Sequence, residues 1–411
     1  MPKKGLIFPA FLEKWTYVWM LVFLAALTFS TALLEIASVA AFIGWGLQKL
    51  RHRSSLPFEK KVWVPLLGFL LLSVVSFFWS EFPRQSFRGI FKVLQQVLIF
   101  WVVAESFASP ARLRYALIVL TASFVLLGLD GIWQYVFGTD LLRQISFEPA
   151  SAGPRITASF RNYGLLASYL LLFLLILFTR LDRKRYPWSF PVSAFAMAAG
   201  FLLLFWTRLR GAWVAFIGGL VFFLWFAGKR RYLILLFLAL GAGFLLLPRS
   251  MIIHIDMEGK EQSLIERAYL WDRALRVIAA RPLTGTGINT YSVAHQKYDL
   301  RQNWRVRNYY SHNGYLQIAA ETGVPSLACF LAFLLFYFQN ALRNLSGILE
   351  ESDRVALIGI LAGMVNFLIL GLIDTVFHNP QAVMAFWLLA GWGVAYQNVL
   401  LKNQSVSAPT N

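Results

Sequence analysis

Stretches of about 20 mainly apolar residues recur along the whole chain, a pattern that only a bilayer accommodates in such number. Backbone polar groups in hydrocarbon must pair internally, so the crossing elements are helices or a closed barrel. Apolar runs of helical length fall near 15–31, 32–49, 62–80, 89–107, 115–137, 163–180, 190–207, 212–228, 232–248, 324–341, 355–376 and 380–399. The chain therefore reads as an all-α polytopic membrane protein with about 12 transmembrane helices. Only 14% of its 411 residues are charged, where a soluble domain averages roughly 25%. The opening "MPKKGLIFPAFLEKW" is basic but lacks a small-residue cleavage site, so the first span is expected to serve as a retained signal anchor. The single cysteine, Cys329, permits no intramolecular disulfide.

Lysine and arginine set the orientation. With the N-terminus inside, the cytoplasmic connections are "KLRHRSSLPFEKK", "SPARLR", "RLDRKRYP", "GKRR" and "LRNLSGILEESDR". The organisation that follows is residues 1–248 for spans one to nine, 249–322 for one long periplasmic loop with short amphipathic helices, 323–400 for spans ten to twelve, and 401–411 for a cytoplasmic tail. The net charge of +18 need not mean nucleic acid, because basic loops first of all orient a membrane protein. The opposite face carries about seventeen basic residues, however, all arginine except Lys260 and Lys297. Positive-inside logic predicts the reverse. Arginine presents a planar fork that matches phosphate oxygens, so this excess points to an anionic ligand, a phosphate or pyrophosphate. Snorkelling to anionic membrane lipids is the plainer alternative.

Within the long loop, "SLIERAYLWDRALRVIAARP" reads as one amphipathic helix, opened by a capping box of Ser263 and Glu266 and ended by Pro282. At 100° per residue its apolar face holds Leu264, Ala268, Trp271, Ala274, Leu275 and Ile278. Arg267 projects into that face, whereas Arg273 and Arg276 point away. An arginine so placed calls for a partner, either a nearby carboxylate or a ligand phosphate. "PLTGTGINTY" lacks the preceding strand of a nucleotide fingerprint and reads as a turn. In "SHNGYLQIAAETG", Ser311 is the expected N-cap of a short helix that places His312 in its first turn, with Tyr315, Leu316 and Ala319 on the same face. There the helix dipole disfavours imidazolium. Neutral imidazole can act as a general base. A hydrogen-bonded structural histidine is the alternative, and the arginines on the same face tilt the reading towards catalysis.

A metal centre is not expected, since the outer face offers only "DMEGKE" as a close acidic grouping. An ion-coupled transporter would show ionisable residues mid-span; Glu35, Asp130 and Asp374 are candidates, but each falls near a span end. Asn344-Leu-Ser fits a glycosylation pattern but lies in a cytoplasmic loop.

Taken together these motifs resemble the bacterial O-antigen ligase/polymerase superfamily. "SHNGYLQIAAETG" is similar to its H-N-x-Y-L-x-x-x-x-E-x-G signature, "RAYLWDRALRVIAARPLTGTGINTY" to its R-x-x-x-W…P-x-x-G-x-G segment, "TRLRGAWVA" to its S-R-G-A-W segment, and "FRNYGLLASYL" to the motif that opens the middle spans. The resemblance covers roughly 155–325. It departs at Leu209, where a small hydroxyl residue is usual, and at "GVPS" after the acid. One long outer loop brings the ligase branch closest; polymerases usually show two, and protein-glycosylating relatives often end in a soluble domain.

The resemblance implies a glycosyltransferase of the bacterial inner membrane that works on its periplasmic side in lipopolysaccharide synthesis, without a cofactor. The donor would be a glycan on undecaprenyl pyrophosphate and the acceptor a sugar hydroxyl of lipid A–core. His312 would be the general base, and Arg210 and Arg267 would clamp the pyrophosphate. Arg161 and Arg208 would extend that cradle, while Asn313 and Tyr315 would orient His312 or the sugar. An O-antigen polymerase of the same superfamily is the nearest alternative. A small-anion transporter is the alternative from another class, disfavoured because no internal repeat is visible.

Overall fold

The computed structural model describes residues 4–51, 59–147, 154–181, 188–246, 257–299, 309–348 and 350–407. Every apolar run marked in the sequence forms a helix. In chain order these are α1 (Lys4–Phe29), α2 (Thr31–Arg51), α3 (Lys60–Val75), α4 (Pro83–Ser106), α5 (Pro110–Phe137), α6 (Tyr163–Leu177), α7 (Phe190–Trp206), α8 (Arg210–Phe226) and α9 (Arg231–Leu246). The segment that follows holds α10 (Met257–Ala280), α11 (Tyr291–Ala294) and α12 (Gly314–Thr322), before α13 (Val324–Asn344), α14 (Glu351–Leu370) and α15 (Pro380–Ser407). Among the described residues 9 helices are long and apolar enough to cross a membrane, which makes this a multi-pass, all-helical protein. α7, α8 and α9 are apolar but only 17, 17 and 16 residues long, short of the usual crossing length. The connections at 52–58 and 182–187 that the sequence assigns to the cytoplasm, and parts of the long loop, lie outside the described residues.

Local chemistry sets the helix ends. Ser109 caps α5 by accepting from the amide of Arg112, with Pro110 next, and Gly138 closes the helix at φ +85°. Asn162 caps α6 through the amide of Leu165 at 2.8 Å. α6, α14 and α15 are apolar on all sides and form the centre: every residue from Leu165 to Leu177 is buried. Glycines let these helices approach closely, as where Gly363 faces the Leu172 carbonyl and Gly391 that of Phe100.

One end of the bundle gathers the α1–α2, α3–α4, α7–α8 and α14–α15 links. Ser159 Oγ donates to the Thr28 carbonyl at 2.7 Å, Gln381 Nε2 to Leu27 O at 2.5 Å, and Arg281 to Trp79 O at 3.0 Å. The 257–322 segment sits on this end. Its own small core is Ala274, Val277, Tyr291 and Ala320, so α10 packs on α12. The "PLTGTGINTY" turn clasps the far end of α12: the amides of Thr286 and Gly287 donate to Ala320 O and Glu321 O at 3.0 and 2.9 Å. At Gly285, with φ +65°, a Cβ would stand 2.3 Å from the Glu321 carbonyl carbon, so that turn requires glycine.

Candidate active site

The turn after α14 is the hub. The predicted span 355–376 breaks at Leu370, and residues 371–379 form a turn that takes Asp374 out of the helix. The amide of Gly314 donates to Gly371 O at 2.8 Å, which ties the start of α12 to this turn. His312 Nδ1 then lies 3.5 Å from Asp374 Oδ1, long for a hydrogen bond but within reach of one when a substrate tightens the site. Burial acts to raise the Asp374 carboxyl, yet the His312 and Thr375 hydrogen bonds and the Arg267 charge outweigh it, and its pKa falls below the ordinary value. A carboxylate opposite Nδ1 holds the proton there and leaves Nε2 as the basic atom.

The cap differs from the sequence expectation. Asn313, rather than Ser311, caps α12, its Oδ1 accepting from the amides of Tyr315 and Leu316 at 3.0 and 3.1 Å. His312 therefore precedes the helix instead of lying in its first turn, and its φ of +49° puts it in the left-handed region. Ser311 is buried and braces this bend, its Oγ donating to Asn313 O at 2.6 Å. Asn313 Oδ1 is thus committed to the cap, leaving its amide nitrogen available. Tyr315 is committed further: its hydroxyl donates to Leu368 O at 2.9 Å and its ring packs edge-on against Phe377.

Arg267 and the segment that bears Arg210 approach the same turn. Arg267, on α10, is half-buried and close enough to lower the Asp374 pKa. Arg210 is exposed at the first residue of α8, whose next residue, Gly211, packs against Ile373; a Cβ there would meet Ile373 Cδ1 at 2.4 Å. Arg208 is exposed at φ +53° in the link before α8, and Arg161 is exposed beside the Asn162 cap of α6. These two segments meet where the amide of Ile156 donates to Trp206 O at 3.2 Å. None of these four arginines has a salt bridge among the described residues.

The face of α10 is rotated from that expected. The helix begins at Met257, so Ser263 lies inside it rather than at its cap. Its buried residues include Leu270, Arg273, Ala274 and Val277, whereas Ala268 and Leu275 are exposed. The buried arginine is Arg273, at 1% exposure, not Arg267. Arg273 is ion-paired with Asp299, contacts Tyr269 and stands 3.2 Å from His295 Nδ1. Burial and the Arg273 charge push the His295 imidazole down to about 4. Arg276 is exposed and pairs with Asp272 at 2.8 Å. Arg273 therefore answers to a carboxylate, whereas Arg267 has no salt bridge among the described residues.

Two groups escaped sequence reasoning. Asp374 was legible only as an acid near the end of an apolar run. Glu321, fully buried, accepts from the amides of Asn289 and Tyr291 at 2.8 and 3.1 Å and from Gln317 at 3.2 Å. Burial pushes its carboxyl up to about 6. It pins the loop to α12 and so fixes where α12 presents His312.

A histidine facing a carboxylate, beside arginines without a salt bridge among the described residues, has the groups needed to deprotonate a hydroxyl next to a bound anion. Residues 195–331, one third of the chain, match the family model described as O-antigen ligase. That match contains Arg208, Arg210, Arg267, His312, Asn313 and Tyr315 and is to the same superfamily that the motifs resemble. Arg161 lies before the matched residues and Asp374 after them. No curated protein matches the chain.

Proposed function

We propose that this protein is an O-antigen ligase, an inverting glycosyltransferase of the bacterial inner membrane with its active site towards the periplasm. It would take a glycan from undecaprenyl pyrophosphate and attach it to a sugar hydroxyl of lipid A–core. The observation that carries this reading is the His312–Asp374 pair at 3.5 Å beside the free charge of Arg267. His312 Nε2 takes the proton of the acceptor hydroxyl, whose oxygen attacks the anomeric carbon of the donor. The anomeric C–O bond breaks and its electron pair leaves with the pyrophosphate, so the configuration inverts. Arg210 and Arg267, with Arg161 and Arg208 beyond them, stabilise the growing charge, the electrostatic part that a metal ion plays elsewhere. Asn313 fixes the chain direction at His312. Tyr315, with its hydroxyl on Leu368 O, supports α12 rather than the sugar.

Purified protein in detergent with EDTA, undecaprenyl-pyrophosphate glycan and lipid A–core should give ladder-like modified lipopolysaccharide, and His312→Ala should give none. Elongation of the lipid-linked glycan alone would make the protein a polymerase of the superfamily. No transfer by wild type under any metal condition would remove the enzymatic reading.

A further inference from the structure

A cavity that none of Arg161, Arg208, Arg210 and Arg267 lines lies beside the Asp374 turn, which supplies Phe377 and His378 to its wall. It holds about 90 Å³, several times the ~10–15 Å³ that one water needs. Its walls include Phe69 of α3, Phe330 of α13 and Trp387 of α15, and its polar lining is Lys92, Gln96, Asn289 and His378, the hydroxyls of Ser73 and Thr322, and the carboxylate of Glu321. The cavity sits on a seam. α3 packs closely on α13 and α4 on α15, but the two pairs touch each other only lightly.

Lys92 is the unusual member. It is half-buried in the third turn of α4, a helix apolar enough to cross a membrane. Ionisable side chains at such positions are costly and mark pathways or ligands. Its ammonium makes one hydrogen bond, to the neutral amide oxygen of Asn289 at 3.0 Å, and has no salt bridge among the described residues. The neighbouring carboxylate, Glu321, has both oxygens turned to the amides of Asn289 and Tyr291 and to Gln317. Two ammonium hydrogens are left without an acceptor among the described residues.

The other donors are set by the same network. Gln317 Nε2 lies 3.2 Å from Glu321 Oε1 and 3.1 Å from His378 Nδ1. An amide nitrogen between a carboxylate and a ring nitrogen donates to both, so Nδ1 is the acceptor and Nε2 of His378 carries the hydrogen. Gln96 has no hydrogen bond among the described residues. The cavity thus offers a cation and N–H donors against aromatic walls, with the one carboxylate of its lining, Glu321, already bonded to backbone amides.

We propose that this cavity binds the phosphate of a membrane lipid, with Lys92 neutralising the charge and the hydrocarbon lying along the seam between the helix pairs. A glycerophospholipid and a polyisoprenyl phosphate share that chemistry. The site is separate from the pyrophosphate cradle and does not depend on which glycan is transferred, so binding tests it without any assay of transfer.

Native mass spectrometry of the full chain in detergent provides the test, titrating phosphatidylglycerol, undecaprenyl phosphate, phosphatidylcholine and inorganic phosphate. Wild type should retain one anionic lipid. Lys92→Met should weaken it roughly ten- to a hundredfold, the loss of one charge-assisted contact, and Lys92→Arg should largely keep it. Val383→Trp, which fills the cavity from α15 and leaves the charge untouched, should also lose the lipid and guards against misfolding of the lysine variant. Retention of phosphatidylglycerol or of undecaprenyl phosphate identifies which source the site takes. Equal binding by Lys92→Met and Val383→Trp overturns the proposal, as does binding of inorganic phosphate or phosphatidylcholine as tight as that of the anionic lipids.

Discussion

The ring of His378 lies 3.9 Å, centroid to centroid, from that of Tyr310. That contact joins the same two segments as the His312–Asp374 pair, two residues before the histidine and four after the aspartate. Gly314 bonding to Gly371 makes a third tie. The direction of the imidazole is therefore held from both sides of the bend at His312. Misplacing a catalytic group by about 1 Å can cost on the order of a hundredfold. Tyr310→Leu and His378→Leu should each lower kcat about tenfold or more with little change in KM, while Tyr310→Phe keeps the stack and most of the rate. Equal kcat in all three would mean that the stack does not position the base.

Removing the base should cost roughly 10²–10⁴-fold in rate. His312→Ala is expected at that level. Asp374→Asn keeps the shape but lets the ring adopt the wrong tautomer, so it should approach the same loss while the protein still folds. A rate for Asp374→Asn within twofold of wild type would remove the carboxylate from the mechanism.

The two α10 arginines should separate cleanly. Arg273→Gln leaves Asp299 in a buried site without its cation, a loss of roughly 3–5 kcal/mol for such pairs, and should lower the melting temperature. Arg267→Gln breaks no ion pair among the described residues and should melt as wild type, yet lose transfer. Thermal melts and turnover on the two variants decide this, and the opposite pattern would restore the face read from sequence.

Acid should loosen the end that bears the site. Burial pushes His378 down to about 4, and burial with Arg273 does the same to His295. Both contribute stability above the unfolded value of about 6.5 that is lost as pH falls through 4. Glu321 works the other way: raised to about 6, its contribution is full below the unfolded value near 4.3 and lost as pH rises through 6. Two depressed histidines against one raised acid give a net loss between pH 6.5 and 4. The melting temperature should drop over that window, and the drop should shrink in a His378→Gln variant. A flat profile would contradict this balance.

Much of the architecture could be read from the chain because a bilayer leaves few solutions. Each apolar run of spanning length became a helix, within a few residues at most ends. The candidate arginines stand out in the sequence as an excess in the connections opposite the lysine-rich ones, and His312 as a titratable group beside a short helix. What stayed hidden depended on contacts distant in sequence. The buried face of α10 is set by Asp299 and by α12, so a period of 3.6 could not show that an arginine belonged inside. Asp374 looked like the tail of a span until Gly371 and Gly314 were seen to meet. Ser311 and Asn313 are both good caps, and only the left-handed turn at His312 decides between them.

That left-handed turn also sets evolution a trade-off. A side chain at φ +49° costs on the order of 1–2 kcal/mol relative to glycine. Glycine at 312 would relax the backbone and remove the imidazole that the proposed mechanism uses, so on that mechanism stability and activity pull in opposite directions. Selection for robustness alone would erode the imidazole. A His312→Gly protein should therefore offer a folded form without transfer, in which substrates can be trapped.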